Sequence, residues 1–62
     1  MNTLTVKQKQ VIENNNVVIE NVENGFIFLV AGCYNQQKPK NTEYEAQIAA
    51  IDFLIKNKSY NK

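Results

Sequence analysis

The chain has no histidine and no arginine, and only one cysteine, one proline, one serine and two glycines in 62 residues. Without histidine there is no histidine general base, no Ser-His or Cys-His nucleophile pair and no histidine metal ligand. Ser59, the sole serine, lies in a tail read as frayed. Cys33 alone can form no internal disulfide, and one thiol cannot assemble a structural zinc site. It is expected to be reduced, buried and structural. Gly25 and Gly32 are both placed in the hairpin, so no glycine-rich phosphate loop is present. The carboxylate pairs Glu43 with Glu45 and Glu13 with Glu20 read as helix-start or surface charges rather than an acid–base dyad. The expectation is a protein that is not an enzyme and uses no cofactor and no metal.

Strong charge of either sign is also missing. Seven lysines against six acidic residues leave a net charge of +1, too even to imply nucleic acid, membrane or an acidic substrate by itself. The longest apolar run is far below the ~20 residues that span a bilayer. The N-terminal MNTLTVKQKQ shows no basic segment followed by an apolar one, so a soluble, cytoplasmic protein is expected. Lysine without arginine, beside abundant asparagine, suggests A/T-rich coding and hence an A/T-rich bacterium, or a phage or mobile element living in one.

What is present is a set of strong local signals. Thr5 and Gln8 have capping-box spacing, followed by Leu4, Val11 and Ile12 on one side of a short helix that Asn14 to Asn16 would stop. The rival reading of this segment is a strand, because Thr3 to Val6 alternates. Asn24-Gly25, flanked by β-branched and aromatic residues, predicts a type I′ turn between strands 17–23 and 26–32. If the loop there is two residues, Glu23 pairs with Phe26, Val22 with Ile27 and Glu20 with Leu29; one more residue in the loop exchanges those pairings, so the sequence leaves the register open. Pro39 interrupts the polar segment that follows. Thr42 and Glu45 again have capping-box spacing, opening a helix over 43–58 with Glu43 and Glu45 at its positive end and Lys56 and Lys58 near its negative end. The predicted fold is one α+β domain over residues 1–62, of order α-β-β-α: a β-hairpin packed by a C-terminal helix and a short N-terminal helix. The alternative is a three-stranded antiparallel sheet plus one C-terminal helix.

The α-β-β-(β)-α order, with Ala49-Ala50 in the last helix, resembles a double-stranded RNA-binding domain. That resemblance implies lysines gripping phosphates from the loop and first turn of the last helix. Here Lys38 and Lys40 lie upstream of the cap, and Glu43 and Glu45 hold the first turn, where they would repel phosphate. The family is therefore not adopted.

The functional clue is apolar surplus. Phe26, Phe28 and Val30 point to one face of the second strand and Ile27, Leu29 and Ala31 to the other, so both faces need cover. On the last helix, Tyr44, Ile48, Ile51 and Ile55 form one stripe and Ala46, Ala50, Phe53 and Leu54 a second. A domain of this size buries only ~60% of its unfolded surface. Homodimerisation, or a protein partner, through Phe26, Phe28, Ala46, Ala50 and Phe53 is the expected source of extra stability. The loop carrying Tyr34, Gln36, Gln37, Lys38 and Lys40 is the candidate recognition loop. The expected function is a small, non-catalytic protein-binding regulator or inhibitor of phage or mobile-element type, blocking a host or defence protein, with no membrane role. The alternative is a small nucleic-acid-binding regulator using Lys38, Lys40, Lys56, Lys58 and Tyr34.

Overall fold

Thr5 begins the first helix as its spacing predicts. Its hydroxyl accepts from the Gln8 amide at 3.1 Å, and the Gln8 side chain accepts from the Thr5 amide at 2.9 Å. In this computed structural model, which describes residues 3–34 and 37–57, helix α1 (Val6–Asn14) leads into β1 (Val17–Val22), β2 (Gly25–Val30), β3 (Cys33–Tyr34) and helix α2 (Glu43–Lys56). The strands form one antiparallel sheet of order β1-β2-β3. Each helix ends on an asparagine whose side-chain amide donates back four residues, Asn15 to the Val11 carbonyl and Asn57 to the Phe53 carbonyl, both at 2.8 Å. Asn16 follows α1 at φ 52, a left-handed conformation asparagine tolerates, and turns the chain into β1. Thr42 accepts from the Glu45 amide at 3.1 Å and starts α2.

Both helices lie on one face of the sheet. Val17, Phe28, Ala50 and Leu54 form the core, with Val11, Ile12, Ile19, Val30, Ala49 and Phe53 packed around it. The Phe28 and Phe53 rings meet at 5.7 Å between centroids, tilted by 50°. The chain is thus the small α+β fold expected, with the N-terminal helix present. The third strand comes from Cys33–Tyr34, a segment read from sequence as a polar connection.

The hairpin register, left open by the sequence, is not the one that a two-residue Asn24-Gly25 loop would give. Val22 pairs with Gly25, Asn21 with Phe26, Glu20 with Ile27, Ile19 with Phe28 and Val18 with Leu29. The loop is Glu23-Asn24, and Gly25, at φ 137, has become the first residue of β2. The cause is a close approach. A Cβ at Gly25 would land on the carbonyl oxygen of Lys40, so Gly25 serves that crossing rather than the turn. The slip is two residues, so every side chain keeps its face. The left-handed pair expected at Asn24-Gly25 sits instead at Ala31-Gly32 (φ 51 and 79), the signature of a type I′ turn, joining β2 to β3.

Past Tyr34 the edge of β2 is closed by an unusual device. The Phe28 amide donates to Gln37 Oε1 at 3.0 Å, and Gln37 Nε2 donates to the Phe28 carbonyl at 2.9 Å. Two residues along, the Phe26 amide donates to the Lys40 carbonyl at 2.9 Å and the Lys40 amide to the Phe26 carbonyl at 2.8 Å. The Gln37 side chain thus stands in for a strand peptide between two backbone partners, Cys33 and Lys40. Losing it leaves two half-buried backbone groups unmatched, a cost of ~1–3 kcal/mol. Gln37→Ala is expected to lower stability by that amount in urea unfolding. Gln37→Glu should fare no better, since it removes the donor and sets a carboxylate against the Phe28 carbonyl.

Candidate protein-binding face

Most residues read from sequence as an interface are core. Ala46 and Ala50 are fully buried, Phe28 is 4% exposed, and Phe53 packs against the core cluster; Phe26 is half-buried. Their apolar surface is consumed within one chain, so nothing of Ala46 or Ala50 is left for a second copy. The reason is size. Ala50 joins Leu54 against Val17 and Phe28, and a side chain that small is covered completely by its neighbours. Of the other helical stripe, Ile51 is buried, Tyr44 and Ile48 are half-buried and Ile55 is exposed.

The candidate recognition loop is also mostly structural. Gln37 bridges to Phe28 and the Lys40 backbone pairs with Phe26, whereas Tyr34 and Lys38 are exposed. Gln36 and Lys58 lie outside the described residues. Cys33, expected to be buried, is exposed on the two-residue strand β3.

The second face of β2 is where apolar surface remains. With Phe28 and Val30 turned to the helices, Val18, Glu20, Val22, Ile27, Leu29 and Tyr34 share the opposite face. Val18, Leu29 and Tyr34 are in register across all three strands, forming one transverse row. Its ends are open, Val18 at 56% and Tyr34 at 59% exposure, while Leu29 is half-buried and Ile27 is 8% exposed.

This face adjoins an open edge. The amides of Phe26 and Phe28 point away from β1, toward Lys40 and Gln37, so Gly25, Ile27 and Leu29 bond to β1 through Val22, Glu20 and Val18. Alternation then turns the amides and carbonyls of Ile19 and Asn21 outward, and no other described residue pairs with that edge.

Other features offer less chemistry. An open cleft of about 490 Å³ between α1 and the start of α2 is lined by Leu4, Ile12 and Tyr44 with Lys9, Glu13 and Glu43. Among the described residues no group of three histidine, cysteine or carboxylate side chains converges, and no buried polar side chain lacks a partner. No described helix is long and apolar enough to cross a membrane. No protein-family model, curated protein or solved structure matches the chain. A reading of function therefore rests on the geometry of this face.

Proposed function

We propose that the protein is a small, non-catalytic protein-binding module, a regulator or inhibitor that acts by occupying a partner. The observation that supports this reading is the Val18–Leu29–Tyr34 row, apolar, exposed at both ends and free of helix cover. Exposed apolar surface on a rigid sheet suits protein recognition, with tyrosine as the residue type most apt to anchor it. Lysine and asparagine usage fits an inhibitor carried by a phage or mobile element. The nucleic-acid alternative draws less support, because Tyr34 shares its face with Glu20 and with no lysine of the three strands.

An environment-sensitive hydrophobic dye tests this directly. The folded protein should bind it, and a V18T/Y34S double variant should bind about tenfold more weakly, the equivalent of ~1.4 kcal/mol, with no change in its unfolding midpoint. Failure of the wild type to bind dye, combined with binding of an oligonucleotide that fades with salt, would reverse the order of the two readings.

A further inference from the structure

Resting on the protein-binding reading above, we propose that the partner docks as an extended strand on the open edge of β1, through a segment of the pattern apolar-x-basic-x-apolar. Three observations carry this. First, Ile19 and Asn21 turn their amides and carbonyls outward from an edge strand, a template for one more strand. Second, the side chains beside that edge on the helix-free face are Val18, Glu20 and Val22 in order, so an added strand meets apolar, acidic, apolar at every second position. Third, the charge is segregated. Residues 17–34 hold Glu20 and Glu23 and no lysine, a charge of −2, which leaves +3 on the remainder of the +1 chain.

The occupant that fits is a foreign strand rather than a second copy. Antiparallel self-pairing of β1 about Glu20 sets two carboxylates face to face, and pairing about Ile19 sets Glu20 against Val18, with no cation in either case. The three-stranded face is also small. Strand spacings of ~4.8 Å and a rise of ~3.4 Å per residue give on the order of 200 Å², against the ~800 Å² per partner of a stable complex. A strand that bonds to the edge adds backbone pairing to that limited apolar contact. Glu20 and Glu23 guard the edge against its own kind and select a cationic guest.

The probe is a capped heptapeptide, Thr-Val-Thr-Lys-Thr-Val-Thr, titrated into the full chain beside its glutamate counterpart and followed by amide NMR. The lysine peptide should shift and slow exchange of the Ile19 and Asn21 amides. It should bind about tenfold more tightly than the glutamate peptide, because the single cross-strand charge contact, with Glu20, turns from attractive to repulsive. Glu20→Lys should invert that preference. Asn21→Pro removes one outward N–H at an exposed edge position and leaves the bonds of Val18, Glu20 and Val22 in place, so it should abolish peptide binding. Binding that survives Asn21→Pro and perturbs only Val18, Leu29 and Tyr34 would overturn the edge inference while keeping a protein-binding face. Absence of peptide binding beside retained dye binding would also overturn the edge alone. Loss of both would overturn the binding reading as well. Concentration-dependent dimerisation that competes with the peptide would assign the edge to a second copy.

Discussion

Gly25→Ala should leave little folded protein at room temperature, whereas Gly32→Ala should cost only about 1 kcal/mol. Both glycines have positive φ, 137 and 79, so backbone conformation alone would rank them together. Space separates them. A Cβ at Gly32 meets nothing within 4 Å, while one at Gly25 falls on the carbonyl oxygen of Lys40 with Pro39 beside it. That carbonyl accepts from the Phe26 amide, so it cannot retreat without breaking the pairing that fixes the 37–40 segment to β2. Strain, a lost backbone pair and a displaced Gln37 bridge together reach ~3 kcal/mol or more. A single core of this size supplies only ~3–5 kcal/mol. Urea unfolding followed by circular dichroism checks both variants. Near-equal losses would mean that the Lys40 crossing does not constrain Gly25.

Phe28→Ala should be comparably severe, at ~3–5 kcal/mol, while Tyr34→Ala should stay within ~0.5 kcal/mol of wild type. Phe28 is 4% exposed, touches the Phe53 ring and belongs to the cluster of Val17, Ala50 and Leu54. Truncating it empties the centre of the core cluster seen among the described residues and removes the ring that Phe53 meets. Tyr34 stands on the opposite face, 59% exposed. The pair therefore distinguishes two uses of aromatic side chains that look alike in the sequence. If Phe28→Ala folds with near-normal stability and loses only association, Phe28 is an interface residue after all.

The difference between these aromatics is also where sequence reading stops. Local signals carried through: the Thr5–Gln8 capping box forms both its bonds, Thr42 caps α2, and the asparagines after α1 end it. Each of these involves partners at most four residues apart, so spacing encodes them. Gly25 is different, because its constraint is a carbonyl far along the chain, and the Asn24-Gly25 pair imitates a turn it does not make. The turn that does form uses Ala31, a residue seldom placed at positive φ, so composition hides it. Gln37 replaces a strand peptide with a side-chain amide, which no period of two announces. The apolar stripes of α2 are legible in the sequence, but that the Ala50–Leu54 sector is the one that meets Val17 and Phe28 is a long-range choice that spacing does not encode. With that sector buried against the sheet, the exposed apolar side chains of the strands are Val18 and Tyr34, at the two ends of the row through Leu29.

In the proposed reading the helices cover the face that carries Phe28 and Val30, while the exposed ends of the second face at Val18 and Tyr34, with the outward groups of the β1 edge, receive the partner. Residue-resolved amide hydrogen exchange on the isolated protein tests it most directly. The amides of Glu20 and Val22, bonded inward to Ile27 and Gly25, should exchange slowly, while those of Ile19 and Asn21 exchange at rates close to an open chain. Equal protection along the whole strand would contradict the account, because the edge would then already be covered.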